Sequence, residues 1–503
     1  MESATEVFIT TGLGTIRGLQ YTSRQEYLGI RYAQPPVGEL RFMPPQRIDS
    51  WQGVLDATKF GPMAPQTAVD TPPIILDESE DCLVLNIYTP GADTKRRPVM
   101  VYIHGGGFII DSGSRPRNRG GNLVELGDVV VVSVEYRMGA FGFLYAEGIS
   151  PNLGLQDQVC ALEWVRRHIA DFGGDPTNVT IFGQSAGAAS VAYLLVMPSA
   201  RGLFHKAILQ SGSFFYDPQK SNLDTLEASA KRFFKHAGVR LGDLQGLRCA
   251  STESLQSANR KAAGQMLDFS FAPVHDGEIV PHEPLVDLRN GAARDIPVMI
   301  GVTSEELPVF GGMKLPFLIR ILLKQILLKK ITRRGASKAQ VQHLLELYRD
   351  ALPEQAIKQK REFNQLFSDS LFRIPAIIFA EQQLAAGGEV YFYIFTHPSP
   401  KTQAAAHVSD LYFVFGTLES GDISDAMRYD CTPAELKLSK LMGKAWTNFA
   451  RRGTPGVSEL PAWPPYDTEE RATLLFGLQP ELQKRPMDEV RDTWMEIIYG
   501  SKR

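Results

Sequence analysis

The residue best suited to covalent chemistry is Ser185, in the pentapeptide G-Q-S-A-G at residues 183–187. A β-branched apolar run at residues 179–182 precedes it, and helix-forming residues follow it as far as Met197. This pattern predicts a strand, a sharp turn at the serine and then a helix. A G-x-S-x-G motif in that context indicates a strained turn that exposes a nucleophilic hydroxyl. The glycines are needed because a side chain would clash where strand and helix approach closely.

A nucleophilic serine also needs hydrogen-bond donors for the oxyanion, and residues 104–108, H-G-G-G-F, could supply them. Three glycines after a buried strand let the backbone pass close to a bound carbonyl. Such an HGGG-type loop acts together with the N–H that follows the serine, which here belongs to Ala186. A glycine-rich turn without function is the alternative, and the serine motif elsewhere in the chain argues against it.

A base must follow the serine, and the expected order along the chain is serine, acid, histidine. Beyond the region of the acid the sequence has His343, His397 and His407. His343 lies in a polar helical pattern and is expected to be solvated, while His397 closes a strand before a proline and could cap the surface. Small residues around His407 leave space for an imidazole to reach inward. The residues themselves therefore favour His407 over His397 and leave both open.

The acid is expected directly after a central strand. An apolar run at residues 297–302 leads to the neighbouring glutamates Glu305 and Glu306. Adjacent side chains point in different directions, so at most one of these carboxylates should face the histidine. Sequence spacing does not choose between them, and such a pair is otherwise usually part of a solvated loop.

Several apolar runs predict the strands that position these groups, at residues 99–103, 128–134, 178–182, 206–210, 298–301 and 390–396. The first two are nearly continuous, which is typical of strands buried on both faces of a parallel sheet. They alternate with helical patterns such as residues 155–172. We therefore predict an α/β fold with a central, mostly parallel sheet flanked by helices.

The same reading predicts a small hairpin at residues 7–18 and one domain that spans residues 1–503. Helical stretches at about residues 217–290 and 311–385 are predicted to be insertions that cover the carboxyl edge of the sheet.

The overall composition excludes several classes of protein. Net charge is −3 with a pI of about 6.3, which does not favour a nucleic-acid partner. No apolar run is long enough to span a bilayer, and the N-terminus has no signal-peptide pattern. The four cysteines have no CxxC spacing. We therefore expect a cytoplasmic protein without a metal site or a disulfide framework.

Further landmarks make the chain resemble the type-B carboxylesterase/lipase (cholinesterase-like) family of the α/β-hydrolases, over residues 7–476. They include G-I-R-Y-A-Q-P-P-V-G at residues 29–38, E-D-C-L-V-L-N at 80–86 and F-G-G-D-P at 172–176, besides the loop and serine motifs above. The chain is also similar to bacterial para-nitrobenzyl esterases, which fits the missing signal peptide.

The resemblance implies roles for particular residues. It selects Glu306 as the catalytic acid and His407 as the base. It assigns the oxyanion donors to the N–H groups of Gly106, Gly107 and Ala186, and a supporting serine near the acid to Ser213.

The implied activity is that of a serine carboxylesterase that acts on a small-molecule ester, most simply as a monomer and without a metal or organic cofactor. One alternative is a non-catalytic binding or adhesion protein, since some family members have lost catalysis. Another is a carbamate, amide or thioester hydrolase on the same triad, because a triad does not fix the leaving group.

Three positions depart from the family pattern. Gln184 stands where the family usually has glutamate, which removes a buried negative charge and favours neutral esters. Leu307 follows the acid in place of the usual glycine. Extracellular members pair the cysteine equivalent to Cys82 with another cysteine, and here that partner position is Ala64. Cys82 is therefore expected to be unpaired.

The segment at residues 314–334 is rich in leucine, isoleucine and basic residues and contains no acid. A basic amphipathic helix can lie on an anionic membrane surface. The favoured alternative is a lid helix whose apolar face covers the mouth of the site, because the segment follows Glu306 closely.

Overall fold

A computed structural model describes the fold of this chain. The described residues are 3–66, 76–214, 223–262, 270–307, 325, 328–329, 331–332, 335–352, 354, 361–424 and 427–500. The segment at residues 314–334 falls almost entirely outside them, so the choice between lid and membrane helix stays open.

One mixed sheet of thirteen strands organises the described residues. Its strands are β1 (Thr5–Thr11), β2 (Gly14–Gln20), β3 (Gln25–Arg31), β4 (Val54–Asp56), β5 (Val84–Thr89), β6 (Arg97–Ile103), β7 (Val130–Val134), β8 (Gly174–Gln184), β9 (Lys206–Gln210), β10 (Val298–Thr303), β11 (Val390–Phe395), β12 (Thr473–Phe476) and β13 (Glu481–Gln483). The spatial order is β1-β2-β3-β5-β7-β6-β8-β9-β10-β11-β12-β13, with β4 beside β2. From β7 to β12 in this spatial order, neighbouring strands run parallel. The pairs from β1 to β7 and the pair β12–β13 are antiparallel, while β4 is parallel to β2. The predicted fold class is confirmed.

Helices cover the sheet. They are α1 (Gly121–Gly127), α2 (Gly139–Phe143), α3 (Leu153–His168), α4 (Ala186–Val196), α5 (Leu223–Ala237), α6 (Leu244–Cys249), α7 (Thr252–Ala262), α8 (Pro284–Arg289), α9 (Lys338–Ala351), α10 (Glu362–Ser368), α11 (Ile374–Ala385), α12 (Ser409–Phe415), α13 (Pro433–Arg452) and α14 (Asp488–Tyr499). A π-helical turn, Asp369–Arg373, joins α10 to α11. Among the described helices, none is long and apolar enough to cross a membrane.

The central strands have apolar side chains on both faces, as their continuous apolar sequence predicts. In β6, Val99 and Val101 belong to one buried cluster, together with residues of α3 and α4. Met100 and Tyr102 belong to a second cluster on the other face, together with residues of α13. Successive residues of a strand point to opposite faces, so two helical layers bury this strand completely.

The predicted strands and the N-terminal hairpin are present, with shifts of a few residues at their ends. The helix predicted at residues 155–172 is α3 followed by a short 3₁₀ turn, Ile169–Phe172, which ends at Gly173 in a left-handed conformation. Strands β3, β4, β12 and β13 and helices α1, α2, α12, α13 and α14 had no counterpart in the prediction.

The parallel strands bring the chemical groups to one edge. The loop at residues 104–108 follows β6, Ser185 follows β8 and Glu306 follows β10. His407 lies between β11 and α12. Carboxyl ends of adjacent parallel strands meet at the same edge of a sheet, which is the usual place for a site in such folds.

Candidate active site

Ser185 sits in the strained turn that the sequence predicts. It joins β8 to α4 with φ 58° and ψ −122°, a conformation that costs a non-glycine residue about 1–3 kcal/mol. Its N–H donates to the Gln210 carbonyl oxygen at 2.8 Å, which holds the turn against β9. From residue 179 to residue 197 every residue is buried except Ser185, which is half-buried. The turn therefore presents the serine alone at the surface of a packed strand and helix.

The two glycines of the motif are required by packing. A Cβ at Gly183 would lie 2.4 Å from the backbone of Gly187, and a Cβ at Gly187 would lie 2.0 Å from the carbonyl oxygen of Ile103. Neither contact is possible for real atoms, so strand, turn and helix approach one another only with glycine at both positions.

His407 and Glu306 form a close pair. Nδ1 of His407 lies 2.6 Å from Oε2 of Glu306, and the His407 N–H donates to the Glu306 carbonyl oxygen at 2.8 Å. The other carboxylate oxygen, Oε1, accepts the N–H of Thr303 at the end of β10. The carboxylate on Nδ1 fixes the ring proton on that atom. Nε2 of His407 is thereby left as a proton acceptor.

Nε2 of His407 faces the end of β8. The side-chain amide nitrogen of Gln184 lies 3.2 Å from it. Between the described residues Ser185 and His407 there is no hydrogen bond. Catalytic hydrogen bonds are often long or misaligned before a substrate binds, so the lack of this bond in the free protein does not exclude His407 as the base of Ser185.

The backbone around His407 is held by unusual local structure. Val408 has φ 78°, which is rare for a β-branched residue. The ring of Phe372, in the π-helical turn, packs on the imidazole with 4.8 Å between ring centroids. π-helical turns are common at functional sites. The sequence reasoning did not identify Phe372, and nothing in the local sequence marks it.

The two adjacent glutamates have different surroundings, as expected. Glu305 turns away from the histidine, accepts two hydrogen bonds from Arg361 at 2.9 and 2.5 Å and one from Asn364 at 2.7 Å. Burial raises the pKa of Glu305 in spite of these donors. Only Glu306 faces His407, so the structure brings together the pair that the resemblance implied.

The glycine loop after β6 offers free donors. Gly106 and Gly107 have φ of 96° and 63°, and a Cβ at Gly106 would lie 2.0 Å from the Ile110 carbonyl oxygen. Their N–H groups have no acceptor among the described residues. Ala186 is the first residue of α4, where the N–H has no acceptor in its own helix. The three predicted donors are therefore available to a ligand.

A second histidine–carboxylate contact lies behind this loop. His104 is fully buried, its ring stacks on Tyr136 and its carbonyl oxygen accepts the Tyr136 hydroxyl at 2.9 Å. Its Nε2 lies 3.7 Å from Oε2 of Glu135, whose other oxygen accepts the hydroxyls of Ser112 and Ser114. Burial raises the pKa of Glu135. Sequence reasoning found the loop but not this support.

The remaining candidates lie outside the pair. No hydrogen bond joins the Ser213 hydroxyl to Glu306 or to another described residue, so its supporting role stays a prediction. His343 is exposed on α9, as expected. His397 is mostly covered and bonds through Nε2 to Oε1 of Glu435 at 3.1 Å. Its contacts are with Glu435, Phe413 and Tyr429, and no hydrogen bond joins it to Ser185 in the described part of the chain.

Comparisons with known proteins converge on one group. The sequence model described as "Carboxylesterase family" matches residues 4–494. The chain is 35% identical to the para-nitrobenzyl esterase of Bacillus subtilis, over 97% of this chain and 98% of that protein. It is 34% identical to the liver carboxylesterase of Sus scrofa, over 94% and 88%. The crystal structure of carboxylesterase EST55 from Geobacillus stearothermophilus superposes with a TM-score of 0.83 at 36% identity, over 97% and 99%.

Proposed function

Because the chain belongs to the carboxylesterase family and is a serine carboxylesterase, we propose that it cleaves neutral carboxylic esters through an acyl-enzyme on Ser185. His407 is the base, Glu306 orients it, and the N–H groups of Gly106, Gly107 and Ala186 bind the oxyanion. The observation that carries this proposal is the 2.6 Å pair of His407 and Glu306, at the sheet edge where Ser185 is the one residue of its turn that is not fully buried.

Acylation begins when the Ser185 hydroxyl attacks the ester carbonyl and His407 Nε2 takes its proton. The carboxylate of Glu306 stabilises the imidazolium that forms, since it already accepts the proton on Nδ1. Negative charge on the carbonyl oxygen is met by N–H groups that have no acceptor among the described residues. Removing one such donor typically costs about 10²–10³ in rate. The imidazolium then protonates the leaving alcohol.

Deacylation repeats these steps with water. His407 takes a proton from the water, the hydroxide adds to the acyl carbon, and the proton returns to Ser185 as the carboxylic acid leaves and then ionises in solution. The same three backbone donors bind the second oxyanion. No step requires a metal or an organic cofactor, so the protein itself supplies every group.

The preference for neutral esters rests on Gln184, which is buried next to His407. A glutamate there would put a carboxylate within a few ångströms of the reacting centre and attract a cationic alcohol group. An uncharged amide offers no such attraction.

The cellular setting is part of the same proposal. All four cysteines are free, and Cys82, which extracellular relatives pair, is buried. Burial also raises the pKa of the Cys160 thiol to about 12. The free thiols support a location in the reducing cytoplasm. A monomer of one domain with helical insertions is the simplest arrangement and is part of the same proposal.

A labelling experiment tests the assignment of the nucleophile. An aryl phosphonate should form a covalent adduct on Ser185, and mass spectrometry of the digested protein should locate it there. Ser185→Ala should lower kcat/KM for p-nitrophenyl butyrate by about 10⁴–10⁶. Ser458→Ala, at an exposed serine, is the control and should keep wild-type activity. Near wild-type turnover by Ser185→Ala would exclude the proposal.

Substrate charge needs its own measurement. A choline ester and its uncharged 3,3-dimethylbutyl counterpart have similar shapes and differ in the cationic nitrogen. The wild type should prefer the uncharged ester, and Gln184→Glu should shift the ratio of the two kcat/KM values toward the choline ester by about tenfold. An unchanged ratio would remove Gln184 from the account of selectivity.

A further inference from the structure

The side chain of Gln184 occupies the hydrogen-bonding position at His407 Nε2 that the reaction scheme assigns to the Ser185 hydroxyl. It ends β8, is 3% exposed, and its amide nitrogen lies 3.2 Å from Nε2 of His407. In that scheme Nε2 is the atom that receives the proton of Ser185. The amide therefore touches the reacting atom of the base.

The direction of this hydrogen bond follows from the protons present. Glu306 binds the Nδ1 side of the imidazole at 2.6 Å, so neutral His407 carries its proton on Nδ1 and a lone pair on Nε2. An amide NH₂ group can only donate. Gln184 therefore donates to Nε2 and occupies the lone pair that the serine hydroxyl must use.

The Gln184 amide is held from its other side by the glycine loop. A Cβ built on Gly105 would lie 3.1 Å from Oε1 of Gln184 and 2.6 Å from its carbonyl oxygen. The loop, Gln184 and His407 thus form one packed layer. A substitution of similar length should therefore fit in the same layer.

We infer that Gln184 is a positioning residue for the base: its amide holds neutral His407 by Nε2 in the resting enzyme and gives up that bond to the Ser185 hydroxyl as an ester enters. The inference rests on the proposed function. A glutamate at this position could not act in this way, because an ionised carboxylate accepts hydrogen bonds and cannot donate one to a lone pair.

The hydrogen bond from Gln184 to His407 should affect the pH dependence of catalysis. A donor on Nε2 stabilises the neutral imidazole, which is the active form of the base. The charged groups around the ring are Glu306 on Nδ1 and Asp410 in α12, and Asp410 is itself bonded to Gln210 and Tyr393. Phe372 covers one face of the ring without a charge. Gln184 is thus the one uncharged hydrogen-bonding side chain that contacts the imidazole among the described residues.

Three forms of the full-length enzyme separate this role from a structural one. The measurement is the pH profile of kcat/KM for p-nitrophenyl butyrate in the wild type, Gln184→Met and Gln184→Glu. Methionine has similar length and cannot donate, so the midpoint of the acid limb should rise by about half a pH unit. Glutamate places an anion by the ring and should raise it by about one unit. Activity on the alkaline plateau should change less than about tenfold in Gln184→Met.

The methionine variant is decisive. A purely electrostatic effect would move the midpoint in Gln184→Glu alone, and a purely structural effect would lower the plateau without moving the midpoint. Either result overturns the inference while leaving the esterase assignment intact. Absence of esterase activity in the wild-type protein would instead contradict the proposed function.

A spectroscopic measurement on the wild type needs no variant. The ¹⁵N resonance of His407 Nε2, assigned with selectively labelled histidine, should show a hydrogen-bonded lone pair in the free enzyme at pH 8. Gln184→Met should move it toward the position of a lone pair without a donor. A wild-type Nε2 without a hydrogen bond would contradict the inference, even if no variant folded.

Discussion

Besides the buried His104–Glu135 contact, two pairs of a histidine and a buried glutamate stand out among the described residues, and we propose that only one of them takes part in catalysis. His407 meets Glu306, and His397 meets Glu435, at 2.6 and 3.1 Å. The side chains are similarly covered, at 18% and 13% exposure for the histidines and 1% and 5% for the glutamates. Both histidines also pack against an aromatic ring, Phe372 in one region and Tyr429 in the other.

The two pairs differ in which imidazole nitrogen the glutamate contacts. Glu306 binds Nδ1 of His407, which leaves Nε2 directed at the end of β8 beside Ser185. Glu435 binds Nε2 of His397 and belongs to the capping box of α13 with Thr432. The second pair ties a helix to the loop after β11. We therefore propose that the contacted nitrogen decides the role of each pair: Nε2 of His407 lies at the end of β8, whereas Nε2 of His397 is bound by Glu435.

Removal of each histidine should give the largest contrast. His407→Gln should lower kcat for p-nitrophenyl butyrate by about 10⁴–10⁶, because the base of both half-reactions is lost. His397→Gln should keep kcat within about twofold of wild type. Steady-state kinetics on both purified variants, with circular dichroism to check folding, measures the difference. Comparable losses in the two variants would mean that the pairs are not functionally distinct.

Substitution of the two glutamates should give the same contrast with a smaller effect on kcat. Glu306→Gln should lower kcat by about 10⁴, since an amide cannot stabilise the imidazolium and admits the wrong tautomer. Glu435→Gln, the matched control, should leave kcat unchanged. A full loss in the control would indicate that α13 helps to shape the site.

The sequence alone predicted only part of the difference between the two histidine–glutamate pairs. Ser185 is identifiable because its turn is local: glycines, strand and helix are contiguous along the chain. His407 was favoured over His397 because its small neighbours leave space, yet residues alone could not separate Glu305 from Glu306. That choice depends on which carboxylate Arg361 and Asn364 bind, and these residues lie more than fifty positions away.

Contacts between distant residues account for what was missed. The sequence marked Gln184 as unusual but could not show that its amide reaches a histidine 223 positions later. Phe372 was also not identified from the sequence, because no residue pattern near it indicates a contact with the segment between β11 and α12. Strands β12 and β13 are short, at four and three residues, and so lack the extended apolar run that reveals β6 and β7.

The aromatic neighbours offer a third test. Phe372→Leu should lower kcat/KM by about tenfold, because the imidazole loses a ring that restrains its orientation and small misplacements are costly. Tyr429→Phe removes the hydroxyl that donates to the His397 carbonyl oxygen at 3.1 Å. It should destabilise the fold by about 1 kcal/mol and leave kcat/KM unchanged. An effect of Tyr429→Phe on catalysis above about threefold would weaken the separation of the two regions.

The smallest expected effect concerns the His397–Glu435 pair alone. Burial opposes ionisation of Glu435, but hydrogen bonds from His397 and from the N–H and hydroxyl of Thr432 outweigh it and lower the pKa of this carboxyl. A group with a lowered pKa in the folded state stabilises the protein above its unfolded pKa of about 4.3, and this stabilisation is lost as pH falls through the folded value. Glu435→Gln should therefore cost about 1 kcal/mol of unfolding free energy at pH 7.

Below about pH 4 the difference from wild type should shrink. Urea unfolding at pH 7, 5 and 3.5 measures it, with Glu496→Gln at an exposed position of α14 as the control. A cost that is independent of pH would mean that Glu435 acts through packing and not through its charge. The same titration on Glu306→Gln separates the regions once more: there the loss of kcat should persist at every pH at which the enzyme is folded, because the carboxylate of Glu306 serves the reaction and not only the fold.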